Sequence, residues 1–162
     1  MQFFPVIPHV DQQVERAIQQ IKLRKNGETA DMLKRMGMVY RLSYGASLVH
    51  IRQIAAAMPK NNDVANRLWA RDIREAMILA TLVADINQMP IETLVEWSRM
   101  VVNAELAEQT SMNLYARSPK IIELCEVFAA SDSPFIKALA YFSLGWAVKF
   151  GTVTFVDAEP MA

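Results

Sequence analysis

The run Leu68-Trp69-Ala70-Arg71-Asp72-Ile73-Arg74-Glu75-Ala76-Met77-Ile78-Leu79-Ala80-Thr81-Leu82-Val83-Ala84-Asp85 constrains this chain more than any other. After the charged step Arg71 to Glu75 almost every position is apolar, so a helix here is apolar on most of its faces and must be covered from several sides. The rest of the chain is rich in helix formers and lacks the period-two alternation of strands. This combination predicts a layer of stacked helices with the run in the middle, as in a helical-repeat protein.

A chain of 162 residues is long enough for one domain that buries about two thirds of its unfolded surface. Hydrophobic residues at 52% with only 5 Gly and 7 Pro exclude a disordered or collagen-like chain, and 10 Met suit an irregularly filled interior. The start, Met1 to Pro8, has neither a basic flank nor a long apolar run, and stretches such as Ala138 to Val148 are too short to span a bilayer. The expectation is a cytoplasmic protein with no membrane association. Cys125, the one cysteine, lies in the apolar pattern Ile121, Ile122, Leu124, Phe128 and reads as a buried, inert thiol.

Punctuation between the apolar runs is that of short helices. Asp11 is placed to cap a helix running to about Lys25, and Asn26-Gly27 stops it before a second helix from Glu28 to Met36. Gly37 and Ser43-Tyr44-Gly45 break the chain again, and a third helix is expected from about Ser47 to Met58, ahead of Pro59. Asn61-Asn62-Asp63 caps the segment leading into Trp69. Pro90 opens a helix with Ile91, Leu94, Val95, Val101 and Val102 on one stripe, and Ser118-Pro119 and Ser133-Pro134 each place a hydroxyl before a first-turn proline. These readings give a helical domain over residues 1–150 and a C-terminal tail over 151–162. Trp69, Trp97 and Trp146 fall on apolar helical faces, where large aromatics serve as core.

The net charge is zero and the pI near 6.7, but the charge is segregated. Through Arg74 there are 12 Lys and Arg against 6 Asp and Glu, an excess of +6; from Glu75 onward 5 face 11, an excess of −6. Two readings fit: a cationic footprint for a polyanion, or two halves that attract one another. No phosphate-binding glycine loop, metal-ligand cluster or nucleophile elbow is present. His9 and His50 stand apart with no Cys or carboxylate pattern around them, so neither metal nor cofactor is expected; His50, beside Val49 and Ile51, reads as a partly packed structural residue.

Three stretches resemble the DNA alkylation repair protein family, HEAT-like-repeat DNA glycosylases that recognise alkylated bases. Tyr44-Gly45-Ala46-Ser47-Leu48-Val49-His50-Ile51-Arg52-Gln53-Ile54-Ala55 is similar to that family's glycine-led turn and following helix. Leu68-Trp69 followed by Arg74-Glu75-Ala76 and Leu79-Ala80 resembles its most recognisable helix. Asn103-Ala104-Glu105-Leu106-Ala107-Glu108-Gln109 occupies the place of its active-site segment, in which a tryptophan is followed four positions later by an aspartate. The resemblance spans about Glu28 to Lys149 and implies an all-α, HEAT-like helical-repeat superhelix. It also implies duplex DNA as the partner, with phosphates held by Arg52, Lys60, Arg67, Arg71, Arg74 and Lys137.

Loss of a cationic alkylpurine develops positive charge on the sugar, which a carboxylate and aromatic faces stabilise. The resemblance puts Glu108 at the carboxylate position and Ala104, with no π face, at the tryptophan position. Glu108 is therefore the candidate catalytic residue of a glycosylase that is weak or inactive. A helical scaffold that binds a protein partner and cleaves nothing is the alternative.

Overall fold

The computed structural model describes residues 3–154. Its contacts divide the chain into two compact units, residues 1–85 and 86–162. The first holds α1 (Pro8–Lys22), α2 (Gly27–Arg35), α3 (Leu48–Ala56), α4 (Asn62–Ala70) and α5 (Arg74–Val83). The second holds α6 (Ile91–Ser98), α7 (Ala104–Asn113), a 3-10 turn at Tyr115–Arg117, α8 (Ile121–Ala129) and α9 (Pro134–Phe150). The described residues are thus all-α, with an isolated parallel bridge between Leu42 and Ile73. No helix among them is long and apolar enough to cross a membrane.

Short polar side chains set most of the helix starts. Asn26, Ser47, Asn61, Asn103 and Ser133 each accept a backbone N–H from the first turn of α2, α3, α4, α7 and α9, a contribution of about 1 kcal/mol apiece. Asn26 therefore begins α2 rather than ending the helix before it. Two other expected starts shift. α1 opens at Pro8, with Asp11 reaching back to accept the Ile7 N–H at 3.1 Å. α8 opens at Ile121, because the Ser118 hydroxyl accepts the Lys120 N–H at 3.1 Å and folds Ser118-Pro119 into a turn ahead of the helix. α6 ends at Ser98, so Val101 and Val102 lie beyond it, the first buried and the second exposed. The expected tail begins as a helix stop: Gly151 at φ +73° turns α9 off while Thr152 N–H returns to Ala147 O at 2.8 Å. Residues 155–162 of that tail lie outside the described residues.

The long apolar run is two helices, not one. α4 ends at Ala70, Asp72 adopts φ +54°, and Ile73 is extended before α5 begins. Left-handed backbone is costly for most side chains but accessible to aspartate, and here Arg41 Nε holds Asp72 Oδ2 at 2.9 Å. The extended Ile73 pairs with Leu42, whose carbonyl accepts the Arg74 N–H at 2.9 Å. The charged step read as the entrance to one helix is thus the joint where another part of the chain crosses it. Beyond the joint, α5 has the expected central position: every residue from Arg74 to Thr81 is buried, and the helix packs on α1, α3 and α4.

That burial includes a carboxyl group. Glu75 is 0% exposed and accepts N–H bonds from Tyr44 at 3.0 Å, Gly45 at 2.8 Å and Ala46 at 3.2 Å, plus the Ser43 hydroxyl at 3.1 Å. Arg74 Nη1 lies 3.1 Å from the same carboxylate and donates to Ala46 O at 2.9 Å. The loop ahead of α3 is thereby tied to the first turn of α5. Gly45 can pass there because it has no side chain: at φ +74°, a Cβ would stand 1.9 Å from Asn26 O.

In the second unit α8 and α9 pack together, α7 packs on α9, and α6 on α8. Tyr115 is buried, its hydroxyl donating to Leu94 O at 2.9 Å and its ring meeting Phe128 edge-on at 4.9 Å. Cys125 is buried as expected, its Sγ 3.4 Å from Ala140 O, and burial pushes its thiol up to about 12.

This packing can be tested at two points. Glu75→Ala strands Arg74 and three backbone donors, so urea unfolding should show a loss of about 3–5 kcal/mol, and Gly45→Ala should be at least as damaging; a loss below about 1 kcal/mol for either removes the tie from the account. The Cys125 thiol stays protonated at pH 8, so a chromogenic disulfide reagent should leave the native protein unlabelled and release one equivalent after denaturation.

Candidate nucleic-acid interface

The six basic residues expected to hold phosphates have different environments. Arg74 is 3% exposed and is spent on Glu75 and Ala46. Arg67 is 6% exposed: its Nε holds Asp11 Oδ1 at 3.0 Å, its other nitrogens reach Asp63 O and Pro5 O, and its guanidinium lies 5.0 Å from the Phe4 ring centre. Both expectations are corrected, because guanidinium groups satisfied and covered this way cannot reach a phosphate without dismantling the fold around them. Arg71 is exposed and paired with Glu15. Lys60 is exposed, with Nζ 2.7 Å from Leu82 O. Arg52 on α3 and Lys137 on α9 are exposed and make no ion pair among the described residues.

A groove between α1 and α3 assembles basic residues that the sequence reading passed over. It encloses about 510 Å³. Gln13, Arg16, Gln20 and Arg24 contribute from α1 and the turn after it, and His50 and Gln53 from α3, above a floor that includes Ala17 and Ile54. No carboxylate lines it, and neither Arg16 nor Arg24 has an ion-pair partner among the described residues. Its walls are set by helix periodicity. Val10, Val14, Ala17, Ile18 and Ile21 form the buried stripe of α1, so positions 13, 16, 20 and 24 fall along its margin. That spacing is legible in the sequence and was the available signal. His50 is half-buried with Nδ1 3.1 Å from Ser47 Oγ, so its packing and a place on the groove wall coincide. Gln13 Oε1 is buried there without a hydrogen-bond donor among the described residues.

The acidic candidate lies in the second unit. Asn103 caps α7 by accepting Leu106 N–H at 2.9 Å, which sets Ala104 and Glu108 one turn apart on the same exposed face, with Glu105 half-buried beside them. That face offers a carboxylate and a methyl group, and no ring on α7 accompanies them. No group of three side chains able to hold a metal occurs among the described residues.

The tryptophans separate. Trp69 and Trp97 are core residues at 1% and 2% exposure, whereas Trp146 is half-buried on α9. Its ring stacks with Phe150 at 5.4 Å and 27°, Lys149 Nζ stands 4.4 Å from the Trp146 ring centre, and the Arg117 guanidinium lies 4.2 Å from that of Phe150.

Comparison with known proteins converges on one family. The structure is similar to a solved structure from a new family of proteins related to the HEAT-like repeat DNA glycosylases, with affinity for branched DNA structures: TM-score 0.80, 16% identity, covering 91% of this chain and 64% of that one. This chain therefore spans about 64% of that protein's length, and the likeness establishes an all-α, HEAT-like repeat fold. No curated protein matches the sequence. The pattern of the DNA alkylation repair enzymes matches residues 17–156, most of the chain, which accordingly belongs to that family.

Proposed function

We propose that this protein binds duplex DNA at damaged or branched positions, gripping the backbone along the α1–α3 groove. The observation that carries the proposal is the groove's charge. Arg16 and Arg24 line it, Arg52 stands exposed on α3, and among the described residues none of the three is neutralised by a carboxylate and no acid lines the cavity. A volume near 510 Å³ is too small for a duplex but suits a stretch of sugar-phosphate backbone, and the glutamine amides supply donors of the kind that fix register on phosphates. Lys60 is exposed and extends the cationic surface of this unit. Family membership and the affinity of the structural relative for branched DNA support the same reading.

Base release is the weaker part of the activity. Glu108, exposed on α7, is the carboxylate assigned in this reading to stabilising a developing sugar cation. However, Ala104 contributes no ring beside it, and the added methylene of glutamate displaces the charge by an amount comparable to the roughly 1 Å that costs about 10²-fold in rate.

Duplex binding should weaken linearly with log salt, and the triple variant Arg16→Ala, Arg24→Ala, Arg52→Ala should flatten the slope by about three. Arg67→Ala and Arg74→Ala should instead lower thermal stability. Fluorescence anisotropy across a salt series checks the first, thermal melts the second. An unchanged slope in the triple variant overturns the groove assignment, and no binding at low salt leaves the protein-binding scaffold. Any release of alkylated purine from a treated duplex should fall to background in Glu108→Gln with DNA affinity retained; unchanged release removes Glu108 from the chemistry.

A further inference from the structure

The exposed face of α9 carries a second kind of nucleic-acid chemistry, and we propose that it is a stacking platform for the unpaired bases of a single strand. This platform extends the proposed DNA binding to a different substrate form and a different surface. Two ridges run along α9 at helical spacing: Lys137, Tyr141, Gly145, Lys149 and, beside them, Phe142, Trp146, Phe150. Tyr141 is 60% exposed and Phe142 and Phe150 are each 39% exposed, in a protein whose other two tryptophans are fully covered. Gly145 interrupts the first ridge. A Cβ built there would meet nothing within 4 Å, so the glycine leaves an open notch, and a cavity of about 250 Å³ is lined by Tyr141, Phe142, Trp146 and Lys149.

Charge selects the occupant. From Glu75 onward acidic residues outnumber basic ones 11 to 5, yet α9 has no acidic residue and two of those five cations, and a third, Arg117, is held over its Phe150. A partner helix docking on this face would have to cover ammonium and guanidinium groups that α9 cannot neutralise. A nucleic-acid strand supplies both missing complements, flat π faces for Tyr141 and Phe142 and phosphates for Lys137 and Lys149. The two lysines are separated by about 18 Å along the helix, room for a short run of nucleotides. A paired duplex hides its base faces, so the platform selects unpaired strands.

The test uses the full chain and a fluorescein-labelled twelve-residue oligothymidine, followed by anisotropy and by tryptophan emission. With Trp69 and Trp97 fully buried, a change in emission on binding reports Trp146. Binding with altered emission is expected, Tyr141→Ala should weaken it roughly tenfold, and Gly145→Leu, which fills the notch from open space and should leave the fold intact, should do the same. Lys149→Gln should reduce the salt slope by about 0.7. Tyr141→Ala and Gly145→Leu binding the oligonucleotide like the parent overturns the proposal, as does a dimer in sedimentation that Gly145→Leu dissociates, which assigns the face to a second copy. The Arg16→Ala, Arg24→Ala, Arg52→Ala variant separates the two sites. Lost duplex binding with intact oligonucleotide binding supports both assignments, whereas absent duplex binding in the parent with intact oligonucleotide binding overturns only the duplex reading.

Discussion

The first unit depends on where one carboxylate finds its hydrogen bonds. A glutamate taken fully out of water is tolerable only if its lone pairs are met by donors, and removing those donors costs more than the pair ever contributed. Glu75 meets three consecutive backbone N–H groups, a hydroxyl and a guanidinium. The backbone and hydroxyl donors come from residues 29 to 32 positions earlier in the chain, so satisfying one side chain at the start of α5 fixes the approach of α3. Asn26 N–H to Tyr44 O at 2.8 Å brings the entrance of α2 to the same point. Gly45 belongs to this arrangement as much as Glu75 does, since any Cβ would collide with Asn26.

This tie explains why residues that look like recognition elements are structural. Arg74 adjoins Glu75 and is consumed by it. Arg67 is consumed by Asp11 and the carbonyl of Pro5, fastening the segment before α1 to α4. Composition alone therefore overstates the surface charge of this part of the chain. Arg16, Arg24, Arg35 and Arg52 make no ion pair among the described residues, and of these Arg16 and Arg24 line the groove beside α1, whose buried stripe is already filled. Exposure without a partner, rather than proximity in sequence to a recognisable motif, distinguishes the cations able to meet a phosphate.

Much of the helix pattern was legible in the sequence because local chemistry writes it: Ser47, Asn61 and Ser133 cap within three residues, and Pro59, Pro90 and Pro134 punctuate, whereas Asn26 reads as a stop and Asn103 carries no cap reading, although both cap in the same way. The break at Asp72 was not legible, because its cause is Leu42 and Arg41, the latter 31 residues away, and a local reading of an apolar run cannot see a strand-like segment crossing it. The same limit applied to the arginines. Burial of Arg67 and Arg74 is a tertiary fact, whereas the α1 margin bearing Arg16 and Arg24 was readable from 3.6-residue periodicity and was overlooked in favour of motif-bearing segments. The Tyr44-Gly45 and Arg74-Glu75 steps carried the family resemblance, and the structure shows that they touch each other.

The distribution of aromatic residues in the second unit bears on chemistry versus recognition. Stabilising a sugar cation needs a ring and a carboxylate converging on one atom; α7 has the carboxylate of Glu108 with Ala104 a turn away, and the exposed rings stand on α9 with cations beside them. Trp146 and Phe150 already face the Lys149 ammonium and the Arg117 guanidinium and are poor sites for a further developing positive charge, since their negative faces are partly satisfied and the neighbouring charge repels it. The same arrangement favours neutral bases joined by anionic phosphates. On the reading proposed above, the side chains of this unit are therefore matched to holding a strand rather than to breaking a glycosidic bond.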